Sequence, residues 1–491
     1  MNERQTSFIV ILLFIFNLLI GFIFINEGIF HYDSVILTKA VENTFKTGML
    51  QPSFRGRYGA VIINCVLYSP FFLLGHNADF TIRFSSILFH SLSIAILFLF
   101  INELFADRIQ AFFGALLFSL TPFYFSPNTY GKEHGMSIFF FLLAFYLLCR
   151  GVKENKLFAV SISSFILAFS ISIRESLLAA FPLYFLLYFS PMISRHPFKI
   201  TIPKERFNPK FLLSLVLPFS AVLSIIFFSY LGSAFHKAIF INNAAAVNYL
   251  GLFSPMLKVA MRDLFISIPV PLFFIFIMGI IKMAYQDNSF WALFLLLWIM
   301  LIFYFGNTSS YAPRYLDIVI IPVYIFAAYA LSWIYSKYKI VSYAIVIYSA
   351  LSMFIFMHPM LVFRHYYNGE KQFALYAKEK TEDNAIIIAM DDSPFIDYYG
   401  NRKAIGHPVG DIRQLDDFIN IIKGYLKDGR PVYLIESGLR YDPDGFLEIA
   451  LKRNFSISIV GEKLSEDYHR PELKLQTYHQ RLFKLNFKNN R

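Results

Sequence analysis

The sequence predicts an α-helical polytopic membrane protein with a C-terminal soluble α/β domain, and three observations predict it. Hydrophobic residues make up 57% of the 491 and charged residues only 16%, against about 25% charged in soluble domains. Apolar runs of spanning or near-spanning length recur from residue 8 to residue 357, and roughly 20 such residues cross the hydrocarbon core of a bilayer. Beyond about residue 364 these runs stop, and short apolar segments separated by charged ones replace them.

About eleven runs read as transmembrane helices: 8–25, 84–101, 111–125, 136–148, 157–173, 177–192, 211–231, 264–283, 290–305, 316–335 and 340–357. The first follows Arg4 and ends at Asn26 and Glu27 without a small-residue cleavage pattern, so it is expected to remain as a span. One further run, 61–74, is short and holds Asn64 and Pro70, so it either crosses or lies in the interface. Two basic clusters separate these cases: Arg150, Lys153 and Lys156, and Arg195, Lys199, Lys204, Arg206 and Lys210 against Glu205 alone. Both are expected to be cytoplasmic by the positive-inside rule. With a cytoplasmic N-terminus, both fall inside only when 61–74 does not cross, which makes it an interfacial helix. The connections 26–83, 126–135, 232–263 and 306–314, with the turn at Arg174 and Glu175, then share the outer face.

The resulting organisation is a transmembrane domain over 1–363 and a soluble α/β domain over 364–491, which odd parity places outside the cell membrane. Within the latter, 370–380 and 412–425 read as helices, 385–390 and 432–435 as strands, and 482–487 as a closing apolar alternation. The net charge of +11 fits a membrane surface. No basic stripe on a soluble amphipathic segment supports nucleic-acid binding. Cys65 and Cys149 lie in apolar runs without the spacing of a disulfide framework or zinc site. Phosphate-binding and dinucleotide-binding glycine loops, the zinc-protease HExxH and the hydrolase GxSxG are absent from the sequence.

Chemistry must then come from charged residues at helix ends. His31, Tyr32 and Asp33 follow the first span, so a carboxylate stands at the membrane surface, either as a base toward a lipid-borne substrate or as a solvated acid that ends the helix. Lys132, Glu133 and His134 sit between two apolar runs and can meet a phosphate or cation, or simply cap a helix. Arg174 and Glu175 have too little loop around them to be well solvated; they are functional, or they pair with each other. Arg314 and Tyr315 open a span and can grip an anionic headgroup or anchor an interface. Arg55 and Arg57 precede the interfacial run, where lipid phosphate is the simplest ligand.

In order along the chain, these pieces are the Asp after the first span, LLGHNADFTIRFSSILF, ELFADRIQAFFGALLFSLTPFYF, the acid-bearing loop at Glu133, and PRYLDIVIIP. Together they resemble the membrane glycosyltransferases of the C superfamily, in particular the protein O-mannosyltransferase and lipid A aminoarabinose transferase group (family 39-like), over residues 8–335. The resemblance implies inverting transfer of a sugar from a polyprenyl-phosphate donor to a lipid, polysaccharide or protein acceptor on the outer face. It implies Asp33 as general base, Glu133 as the acid of the second outer loop, and Arg314 as a ligand of the carrier phosphate. The family's first-loop Asp-Glu pair is here Asp33 and Ser34, and its usual second-loop Asp is Glu133. No cofactor is required by the residues, although a divalent cation held by Asp33 and Glu133 is one expectation. The alternatives are a transporter or lipid flippase, against which the sequence shows no repeated halves, and a receptor scaffold, for which one span would suffice.

Overall fold

The computed structural model describes residues 3–53, 56–190, 208–228, 255–285, 289–307, 313–407, 413–442, 444–469 and 474–488. Arg55, the basic residues of 195–206, and the stretches 232–254 and 308–312 of the expected outer connections lie outside the described residues. The chain divides into two compact units, one of Met1–Ile25 with Ala40–Leu361 and one of Asn26–Lys39 with Val362–Arg491. The sequence sets the boundary between 363 and 364 and counts residues 26–39 with the membrane part. By contacts they join the C-terminal unit.

The first unit is helical. Among the described residues, six helices are long and apolar enough to cross a membrane, or eight if each of two bent pairs is one span. The sequence expects about eleven. The difference falls on 157–173, 177–192 and 290–305, which form the shorter apolar helices Leu157–Ile173, Glu175–Phe189 and Ser289–Tyr304. The run 264–283 is split, because Pro269 lies between the helices Pro255–Ser267 and Val270–Tyr285, which bend by 105°. The run 61–74 forms a helix, Tyr58–Leu73, with Pro70 inside it. Its 16 residues rise about 24 Å at ~1.5 Å per residue, less than the roughly 30 Å hydrocarbon core.

Five helices frame the charged residues of this unit: α1 (Tyr58–Leu73), α2 (Asp79–Phe105), α3 (His134–Lys153), α4 (Leu157–Ile173) and α5 (Asp317–Lys337). α2 and α3 pack through Phe89 against Phe139 and Phe140 and through Phe100 against Phe145, and Ile94, Leu97, Phe98, Ile138, Phe141 and Leu142 are all buried. Between spans in a bilayer such packing stabilises by close van der Waals contact rather than by transfer out of water. The chain enters α3 through Gly131, whose φ of +91° is reached at little cost only without a Cβ. It leaves α4 at Arg174, where φ −148° and ψ 108° end the helix. Residues 174 and 175 therefore depart from the α4 axis.

The C-terminal unit is a five-stranded sheet in the order β2-β1-β3-β5-β4, from β1 (Ile386–Ile388), β2 (Lys403–Ile405), β3 (Val432–Ile435), β4 (Phe455–His469) and β5 (Lys474–Phe487). β1 pairs in parallel with both β2 and β3, while β5 runs antiparallel to β3 and β4. The all-apolar β1 and β3 are buried at every position, as strands covered on both faces require. The helix Arg413–Lys427 sets Leu415, Phe418, Ile419 and Ile422 against Ile386, Val432 and Leu485, the i, i+3, i+4, i+7 pattern of one helical face. The helix 370–380 and the strands around 385–390 and 432–435 form where the sequence expects them. β2 and most of the β4–β5 hairpin are additional.

Candidate functional site

The connection before α3 is short: a helix ends at Thr129, and α3 begins at His134. Glu133 occupies the N-cap position, yet its side chain makes no capping bond. It pairs instead with Arg57 Nη1 at the start of α1. The same guanidinium donates through Nε to Glu175 Oε2 at 3.2 Å. Next to each glutamate in the chain, after Glu133 and before Glu175, His134 Nδ1 lies 2.5 Å and Arg174 Nη1 2.7 Å from Asp317 Oδ2, with Arg174 Nη1 3.2 Å from His134 Nδ1. Asp317 uses its other oxygen to accept from the backbone N–H of Ile318 at 2.8 Å.

The result is a closed arrangement. Glu133 and Glu175 converge on Arg57, while their chain neighbours His134 and Arg174 converge on Asp317. All six residues are buried, Asp317 to 1% exposure. Ionised groups in such a place are tolerated only when paired and hydrogen-bonded. Tyr315, two residues before Asp317, has the Arg174 guanidinium 5.7 Å and the Arg314 guanidinium 5.2 Å from its ring centroid, within cation–π range. Lys132 is also buried, to 1% exposure, and its carbonyl accepts from Ser86 Oγ. The contacts therefore set Arg57 and Arg174 against three carboxylates at the ends of apolar helices, with Arg314 at the Tyr315 ring.

Of the residues singled out in the sequence, Arg57, Glu133, His134, Arg174, Arg314 and Tyr315 are drawn together by these contacts. The capping reading of the 132–134 loop fails because Glu133 spends its carboxylate on Arg57. Glu175 and Arg174 each have a partner from a distant segment. Asp317, which joins two of the candidate residues, was not among those candidates. Its signal was a lone acid within the apolar stretch PRYLDIVIIP.

His31 and Asp33 belong to the other unit. Asp33 does not lie in a solvated loop: it is in the first turn of a helix, Tyr32–Thr47, and is 7% exposed. A carboxylate there is favoured by the positive end of the helix dipole. Its backbone N–H donates to His31 Nδ1 at 3.2 Å, and the His31 and Tyr32 rings stack at 4.6 Å. As for a cation held by Asp33 and Glu133, the Glu133 carboxylate is already engaged by Arg57. No group of three His, Cys, Asp or Glu among the described residues could hold a metal ion.

The helical unit with its charged helix ends and appended mixed sheet has the fold of the C-superfamily membrane glycosyltransferases, in agreement with the resemblance carried by the sequence. Residues 66–204 match a family profile described as dolichyl-phosphate-mannose-protein mannosyltransferase. Among solved structures, ArnT from Cupriavidus metallidurans in the apo state superposes with a TM-score of 0.59 at 14% identity, covering 98% of each chain. The archaeal oligosaccharyltransferase AglB from Archaeoglobus fulgidus, in complex with an inhibitory peptide and a dolichol-phosphate, gives 0.55 at 12% identity, over 96% of this chain and 74% of that one. The arabinofuranosyltransferase AftD from Mycobacteria gives 0.54 at 11% identity, over 100% of this chain and 40% of its own. No curated protein matches this chain. The protein is an integral membrane protein with many apolar helices.

Proposed function

We propose that this protein is a membrane glycosyltransferase that moves a sugar from a polyprenyl-phosphate donor to an acceptor hydroxyl on the extracytoplasmic face, with inversion. The observation that carries the reading is the buried network of Arg57, Glu133, His134, Arg174, Glu175 and Asp317, built from four separate segments at helix ends. Ionisable groups at such depth are costly and mark function. The solved structures of similar fold include ArnT bound to undecaprenyl phosphate and AglB with a dolichol-phosphate, which supports a lipid phosphate as the ligand here.

In the proposed reaction the acceptor oxygen attacks the anomeric carbon as the bond to the carrier phosphate breaks. The acceptor proton passes to Asp33, and the polyprenyl phosphate departs with the bonding pair. Fixed guanidinium charge lowers the cost of the developing phosphate anion, with no reorganisation at the moment of reaction. Arg314 and Arg174, which share the Tyr315 ring, are the proposed phosphate ligands, with Lys132 beside Glu133. His31, Arg55, Arg57 and His134 complete the proposed binding set.

Membranes containing the protein, given labelled sugars on a panel of polyprenyl phosphates, are expected to label one acceptor class. The Asp33→Asn variant should fold and lose transfer by about 10²–10⁴-fold, the usual contribution of general-base catalysis. Undiminished transfer in that variant sinks the assignment. Net movement of labelled lipid in liposomes without any acceptor would instead favour a flippase.

A further inference from the structure

We propose that Arg364, Asn368, Lys371 and Tyr399 of the C-terminal unit are positioning residues that clamp residues 27–30 and so set the place of Asp33. The inference rests on the proposed role of Asp33 as the base. It gives the C-terminal unit a part in the reaction.

Residues 27–30 are held through the backbone N–H and carbonyl of both Glu27 and Ile29 and through one Glu27 carboxylate oxygen. The Glu27 N–H donates to the Arg364 carbonyl at 3.0 Å, and Lys371 Nζ reaches Glu27 Oε1 at 2.7 Å and its carbonyl at 3.3 Å. Ile29 donates its N–H to Tyr399 Oη at 3.0 Å and accepts from Asn368 Nδ2 at 2.9 Å. The Arg364 guanidinium lies 3.7 Å from the Phe30 ring centroid. Gly28 fits because a Cβ there would stand 2.9 Å from Lys371 Cδ and 3.2 Å from Tyr399 Oη. Ile29 is fully buried. Beyond Asp33 the segment is tied again, by Lys39 Nζ to Asp397 Oδ2 at 2.8 Å.

The clamp residues are themselves fixed. Arg364 makes a two-pronged pair with Asp467, both contacts at 3.0 Å. Asn368 caps the helix Gly369–Lys380, with its Oδ1 accepting from Lys371 N, so its amide can turn only one way. Fixing a backbone residue costs about 1–2 kcal/mol of entropy. A segment that only linked two units would have no reason to carry ties on both sides of one carboxylate. A base misplaced by about 1 Å can lose ~10²-fold in rate, which is what these ties prevent.

The test is charge reversal and its rescue at the Glu27–Lys371 pair, read in two ways on the full-length protein. Transfer from the labelled donor panel is expected to show kcat lowered about tenfold in Lys371→Glu with the donor KM unchanged, and restored in Glu27→Lys/Lys371→Glu. In parallel, Asp33→Cys with Cys65→Ser and Cys149→Ala is labelled by a membrane-impermeant maleimide. Labelling is expected to be slow with the clamp intact, about tenfold faster with Lys371→Glu, and slow again in the double reversal. Unchanged labelling in Lys371→Glu overturns the clamp. Faster labelling with unchanged kcat overturns its part in the reaction. If the wild-type protein transfers no sugar from any donor, the functional reading fails on its own, and the labelling arm still decides whether the clamp holds the segment.

Discussion

Arg57 sits between two buried carboxylates, and that single fact sets its sensitivity. A guanidinium can address Glu133 and Glu175 through different nitrogens, whereas an ammonium is a point charge that cannot fork in this way. Arg57→Ala is expected to cost about 3–5 kcal/mol, the usual cost of stranding a partner of a buried ion pair, read as thermal unfolding in detergent. Arg57→Lys should recover only part of it. Adding Glu133→Gln and Glu175→Gln to Arg57→Ala should restore most of the loss, since no stranded carboxylate then remains; a triple variant as unstable as the single one would refute the network. At this scale the sequence is informative in one respect. Charged residues inside apolar runs are few, so Glu133, His134, Arg174 and Arg314 stand out by their surroundings. Which of them pair is not legible: Arg57 and Glu133 are 76 positions apart, and His134 and Asp317 are 183 apart. Asp317 is harder to read, because an acid in the first turn of a helix is favoured there by the helix dipole whatever its partners.

Helices that stop in the right places make the site. α4 ends where Arg174 turns extended, and α3 begins three residues after Gly131. Gly131→Ala is expected to destabilise by roughly 1–3 kcal/mol, the range for a residue held in a sparsely populated backbone region. The new methyl would also meet Ile82 Cγ2 at 3.1 Å. Thermal unfolding of the purified variant reads this directly, and a stability equal to wild type would refute the backbone argument. Apolar runs made the helices legible, because each is a continuous stretch that lipid or neighbouring helices can cover. Runs shorter than a span do not reveal whether they cross, which explains six to eight spans by length against about eleven expected. In the C-terminal unit, β1 and β3 were legible as short all-apolar runs. β4 was not: it mixes Ser, Lys, Glu and Asp with apolar residues, and its pairing with β5 supplies what its own composition does not.

For the molecule as two units, the C-terminal sheet carries a charge link with a pH signature. Glu382 accepts from Lys484 Nζ at 2.8 Å and from Tyr433 Oη at 2.5 Å. Burial pushes the Glu382 carboxyl up, but the bonds from Lys484 and Tyr433 outweigh it and hold the group below its ordinary 4.5. The bond to Glu382 in turn raises Lys484 above its ordinary 10.5. A carboxyl lowered in the folded state adds stability above 4.5 that disappears as pH falls through its folded value, and a raised ammonium adds stability below 10.5 that disappears as pH rises through its own. Stability from this link is therefore constant across neutrality and falls at both extremes. Both groups are partly exposed, so solvent screening keeps the effect to about 1 kcal/mol or less. Glu382→Gln should flatten the acid limb of a melting-temperature profile against pH; an unaltered limb would remove the link from the account.

The sequence by itself determined that the chain is a polytopic membrane protein with a soluble α/β end, and it singled out the few charged residues at helix termini as candidates for chemistry. It could do so because burial in lipid or protein imposes long apolar runs, and every exception to them is visible. Only the tertiary structure decided which exceptions meet: Arg57 with Glu133 and Glu175, Arg174 and His134 with Asp317, and residues 26–39 with the C-terminal unit. Ion pairs and packed segments are long-range contacts, fixed by helix breaks and by the charges each buried group requires. Neither periodicity nor composition records them.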